Sequence, residues 1–73
     1  MTSKFILQGL DCANCAAKME KSIRKLEGVA DASVNFITQK LIIHGEDDRM
    51  PEIIREAEKI ILSLESQVKM RKA

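Results

Sequence analysis

Four residues punctuate this chain and fix most of its element order: Gly9, Gly28 and Gly45, its only glycines, and Pro51, its only proline. The segments between them switch between two hydrophobic periods, one near two for a half-buried strand and one near 3.6 for an amphipathic helix. Residues 4–8 form a short apolar run of β-favouring types, closed by Gly9. From Cys15 onward the apolar positions fall at Ala16, Met19, Ile23 and Leu26, with charged residues between them, which predicts a helix that Gly28 stops. After Val29, the residues Ala32, Val34 and Phe36 alternate with Asp31, Ser33 and Asn35, so the first set is expected to face inward on a strand. Thr38, Gln39 and Lys40 read as a polar turn, and 41–44 as the returning strand of a hairpin with Ile37 and Ile42 on its outer face. A loop over 45–48 leads to Pro51, suited to a first helical turn. Ile53, Ala57, Ile60 and Ile61 then mark a second helix ending at 62–64, and 67–72 alternate as a half-exposed edge strand.

Strand, helix, strand, strand, helix, strand is the order of an α+β ferredoxin-like βαββαβ sandwich. In it, two helices cover one face of a four-stranded antiparallel sheet. At 73 residues and 8.2 kDa there is room for one hydrophobic core, so residues 1–73 are expected to form a single domain. Hydrophobic residues make up 45% of the chain, enough for that core without a disulfide framework. The net charge is +1 and the only aromatics are Phe5 and Phe36, so the basic excess and stacking platforms of a nucleic-acid binder are missing. Three consecutive apolar residues near the N-terminus make no signal peptide, and no run is long enough to span a bilayer; the sequence reads as a cytosolic domain, monomeric without metal.

Both cysteines lie in the connection after the first strand, in Gly9-Leu10-Asp11-Cys12-Ala13-Asn14-Cys15. A Cys-x-x-Cys pair can be a metal site, a redox couple or a disulfide, and spacing alone does not choose. A reducing compartment argues against the disulfide. A helix N-terminus and Lys18 one turn on favour thiolate, the metal-binding form. A thioredoxin-like redox motif would call for a longer βαβ scaffold and usually a Trp or Pro beside the cysteines.

The loop motif, the helix after it, Gly28-Val29 and the element order together resemble the heavy-metal-associated domain family over essentially the whole chain. The resemblance implies a cytosolic metal-binding module of the kind found at the N-terminus of heavy-metal-exporting P-type ATPases, with Cys12 and Cys15 as thiolate ligands. It implies delivery of the ion to the membrane transport domain of a parent ATPase, or regulation of that pump; a free-standing metallochaperone serving an acceptor protein is the alternative. The chain itself is not expected to be a catalyst. Copper-handling members of the family carry Gly-Met-Thr before the first cysteine, where this sequence has Gly9-Leu10-Asp11, a version similar to the domains of zinc, cadmium and lead exporters. Zinc accepts carboxylate oxygen beside sulfur, whereas Cu(I) is satisfied by thiolates. Asp11 is therefore a candidate third ligand for a divalent ion, with an N-cap role as its competitor. Many members carry a Gly-aromatic pair before the last strand; here residues 62–67 have neither, so Leu62 or Leu64 is expected to shield the site.

Other candidates have simpler readings. Asn14 suits a cap, His44 a strand end, and Met19 the apolar stripe. Lys18 is solvent-facing unless it lowers a thiol pKa or meets a partner carboxylate. Glu46, Asp47 and Asp48 read as a solvated loop before a helix.

Overall fold

The computed structural model describes residues 2–73. It has the expected α+β sandwich, with β1 at Thr2–Gln8, α1 at Ala13–Arg24, β2 at Val29–Asn35, β3 at Lys40–Gly45, α2 at Met50–Leu64 and β4 at Lys69–Lys72. The sheet order is β2-β3-β1-β4, every pair antiparallel, so β1 and β3 are central and β2 and β4 are edges. A short 3-10 turn, Asp47–Arg49, leads into α2.

One face of the sheet supplies Phe5, Leu7, Ala32, Leu41 and Ile43 to the core, and the helices supply Ala16, Met19, Ile23, Ile53, Ala57 and Ile61. The helical stripes are those read from the sequence, with Ile60 and Leu26 packed at the margin. Met50, which opens α2, is also buried. No side-chain nitrogen or oxygen among the described residues is buried without a hydrogen-bond partner.

Several strand ends shift by one or two residues from expectation, and three boundaries differ for a clear local reason. Helix α1 begins at Ala13, two residues before Cys15, because Cys12 is extended and its sulfur takes the N-cap position. Strand β2 stops at Asn35, whose side-chain oxygen accepts from the N–H groups of Ile37 and Thr38. That turn releases Phe36 from the strand, leaving it 38% exposed at the margin of the groove between α1 and β2, beside Ala13, Ala17 and Val34. The α1 stop is also less direct: the chain leaves the helix through Lys25 and reaches Gly28, at φ 91°, only after the Leu26 N–H has bonded the Ile23 carbonyl.

Gly28 and Gly45 meet where the α1–β2 connection crosses the end of β3. A Cβ at Gly45 would stand 2.8 Å from the Gly28 carbonyl oxygen and 3.0 Å from Ile53 Cδ1. Backbone cannot give way as a side chain can, so Gly45→Ala is expected to destabilise the domain by about 1–3 kcal/mol in chemical denaturation. An unchanged midpoint would mean that the crossing is looser than the contacts imply.

Candidate metal centre

The central strand positions the cysteines. Beyond Leu7, Gly9 turns the chain at φ 93°, and the Leu10 N–H bonds back to the Leu7 carbonyl at 3.2 Å. Leu10 is 1% exposed, so the loop is pinned into the core immediately before Asp11 and Cys12. The β2–β3 turn braces it from the side: Gln39 Nε2 donates to the Leu10 carbonyl at 2.9 Å, and the Gln39 carbonyl accepts from Leu7 N–H at 2.7 Å. Gln39 makes both contacts from the left-handed region at φ 58°, a conformation unfavourable for a residue with a side chain.

Cys12 caps α1, its Sγ accepting from the Cys15 N–H at 3.4 Å, and Cys15 lies on the first turn. Both are free thiols and half-buried. From across the domain, Glu65 comes in just after α2, and the Cys15 thiol donates to its Oε1 at 2.8 Å. The Cys12 sulfur, the Cys15 sulfur and a Glu65 oxygen all lie within 4.8 Å of one another. A tetrahedral ion with bonds of about 2.0–2.3 Å wants its ligand atoms roughly 3.5–3.8 Å apart, so the Cys15 sulfur and Glu65 oxygen, 2.8 Å apart around a proton, separate slightly when an ion takes the proton's place.

The two thiols are driven in opposite directions. Hydrogen bonding from Cys15, first its thiol and then its backbone N–H, holds Cys12 below the ordinary thiol value. The Cys15 thiol is pushed up to about 12, mainly by its hydrogen bond to Glu65 and then by its contact with Cys12. Two anionic neighbours make a second thiolate expensive and keep a proton between sulfur and carboxylate. That proton occupies the direction in which a cation would sit, so loading with metal means expelling it.

Of the residues singled out in the sequence, Cys12 and Cys15 come together, while Asp11 is exposed beside them and outside the three-atom group. The N-cap role open to Asp11 or Asn14 belongs to Cys12. Leu62 and Leu64, expected to shield the site, are 45% and 37% exposed, and the residue of that stretch that turns to the cysteines is Glu65. His44 bonds Thr2 Oγ1 at 2.8 Å where β3 ends and β1 begins, the opposite end of the sheet from the cysteines. Lys18 is exposed, and Met19 is core. Glu65 carried one sequence signal, its place in the stretch where the Gly-aromatic pair is missing.

A ferredoxin-like sandwich with two free thiols and a carboxylate converging at the start of its first helix is a small metal-binding domain in class. A profile of the heavy-metal-associated domain matches residues 4–66, and the chain belongs to that family. It is 51% identical over 41 residues to a cadmium-transporting ATPase of Staphylococcus aureus, a match spanning 56% of this chain and 6% of the relative. It is 36% identical over 56 residues to a probable copper-importing P-type ATPase A of Enterococcus hirae, across 77% of this chain and 8% of that one. The chain thus spans less than a tenth of the length of either relative. Among solved structures, the N-terminal domain of the zinc(II) ATPase ZiaA in its apo form superposes with a TM-score of 0.76 at 29% identity, covering 100% of this chain and 97% of that one. No helix among the described residues is long and apolar enough to cross a membrane.

Replacing Glu65 with alanine removes the chief cause of the raised thiol, so the Cys15 pKa is expected to fall from about 12 toward the ordinary 9.0, read as thiolate absorbance against pH. The same hydrogen bond makes metal-free stability pH-dependent. Between 9.0 and about 12 the folded state keeps a proton that the unfolded chain has lost. This contribution is therefore full below pH 9 and lost as pH rises to about 12. In Glu65→Ala that alkaline decline should flatten; an identical decline in both proteins counts against the assignment.

Proposed function

We propose that this chain is a cytosolic module that captures a divalent zinc, cadmium or lead ion and passes it to, or uses it to regulate, the transport domain of a metal-exporting P-type ATPase. The observation that carries this reading is the hydrogen bond from the Cys15 thiol to the Glu65 carboxylate, which puts an oxygen donor beside two sulfurs. Soft thiolates alone satisfy Cu(I), whereas a borderline divalent ion takes carboxylate oxygen and gains from its charge. Cys12 and Cys15 serve as thiolate ligands and Glu65 as the third donor. Asp11, exposed one residue before Cys12, supplies a further carboxylate. Cys12, Cys15 and Glu65 leave one position of a four-coordinate ion, which the exposed Asp11 carboxylate fills until an acceptor's ligand displaces it. The chain binds and transfers; it carries out no chemistry on the ion.

The second reading is a copper carrier, favoured by the resemblance to a copper-importing ATPase. A redox role has less support, because no Trp or Pro stands beside the cysteines and the scaffold is shorter than a thioredoxin-like one.

Anaerobic titration with cadmium, zinc and Cu(I) separates these readings. Asp11→Ala and Glu65→Ala are each expected to weaken divalent binding by about 1–3 kcal/mol, the scale of one lost charge-assisted contact, and to leave Cu(I) affinity nearly unchanged. Equal losses for all three ions from both variants would remove the divalent preference. Loss from Glu65→Ala alone would leave Asp11 out of the ligand set. Chelation should leave the fold intact, because the fourteen residues of the core include neither cysteine nor either carboxylate; unfolding on chelation would make the site structural.

A further inference from the structure

The sheet face turned away from the helices is built from residues that the metal site does not use. Its outward positions alternate cation and aliphatic in two directions. Across the strands, Lys40 pairs with Ile6 and Ile6 with Arg71; one step along, Ile42 pairs with Lys4. Lys69 adds a further cation opposite Gln8. The four cations are exposed, and none has an ion-pair partner among the described residues. Ile6 is 38% exposed, so the aliphatic positions contact solvent as well. The one carboxylate at the outward strand positions is Asp31, on the far edge, and Arg24 holds it at 3.2 Å. The helical layer instead mixes the two signs, with Glu52, Glu56 and Glu58 beside Arg55 and Lys59 on α2 and Lys18 and Lys21 beside Glu20 on α1.

We propose that this face docks on an anionic phospholipid surface, with the four cations at the headgroup phosphates and Ile6 and Ile42 against the interface. The complementarity is what selects that occupant. A flat array of unpaired cations with no aromatic among them lacks the stacking groups that single-stranded nucleic acid uses, but suits a laterally continuous negative surface that attracts each basic residue additively. Aliphatic side chains between the cations add buried apolar area, as interfacial binding requires. In this pose the polar helical layer points away from the membrane, and the Cys12–Cys15 loop sits at the rim of the contact rather than beneath it.

Vesicle flotation of the reduced, metal-free chain tests this independently of the metal reading. The chain should bind vesicles of phosphatidylcholine and phosphatidylglycerol at about 7:3 and not those of phosphatidylcholine alone. The triple substitution Lys4→Glu/Lys40→Glu/Arg71→Glu should lower partitioning at least about tenfold. Lys21→Glu/Lys25→Glu/Arg55→Glu, with the same change in net charge on the helical layer, should lower it far less. Both variants should keep wild-type cadmium uptake, which separates this result from the proposed function. If the sheet variant does not fold, the wild type still decides: its binding has to disappear between about 50 and 500 mM NaCl. Equal losses in the two variants, binding to neutral vesicles, or retention on an RNA oligonucleotide with none on vesicles would overturn the proposal.

Discussion

The metal end of this domain hangs from one continuous burial: Phe5, Leu7 and Leu10 go into the core from the central strand and the loop that leaves it. Full burial of such side chains contributes about 1.5–3 kcal/mol each. Here it also does geometric work, because Leu10 lies two residues before Cys12. With Leu10 fixed and Gln39 bracing its carbonyl, the chain enters α1 at a set angle and the two sulfurs fall at its first turn. The strain held at Gln39 is consistent with that demand, since a relaxed backbone there would carry its two contacts away from the loop.

Most of the fold could be read from periodicity because each element buries one face only. The stripes Ala16, Met19, Ile23 and Ile53, Ala57, Ile61 were visible as spacing, and the same residues are in the core. The errors arose where a polar side chain outcompeted the pattern. Asn35 ends β2 by bonding two following N–H groups, so Phe36, which continues the alternation in sequence, leaves the strand and stays at the margin of the core, 38% exposed. At α1 a thiol capped the helix beside two residues better known for capping.

The candidate site was half legible. Two cysteines three positions apart announce themselves in any sequence, and the aspartate beside them drew notice for the same reason. Glu65 could not be found that way, because it meets Cys15 from 50 residues away and only the stacking of α2 beside α1 joins them. Sequence proximity favoured Asp11 as the carboxylate, and tertiary structure adds Glu65 to the choice. The stretch that holds Glu65 already stood out for lacking a glycine and an aromatic, a sign that something other than a ring faces the cysteines there.

The Cys15–Glu65 contact also clasps the first helix to the end of the second. Glu65 caps α2, its N–H bonding the Ile61 carbonyl at 2.8 Å, so it sits where a helix frays first. Opening that last turn takes one jaw of the clasp away without disturbing Cys12, Cys15 or the core. An ion gripped by all three would thus be held with a latch at one corner, and the rate at which that corner lets go would follow the fluctuations of a helix end rather than the breaking of a metal–sulfur bond.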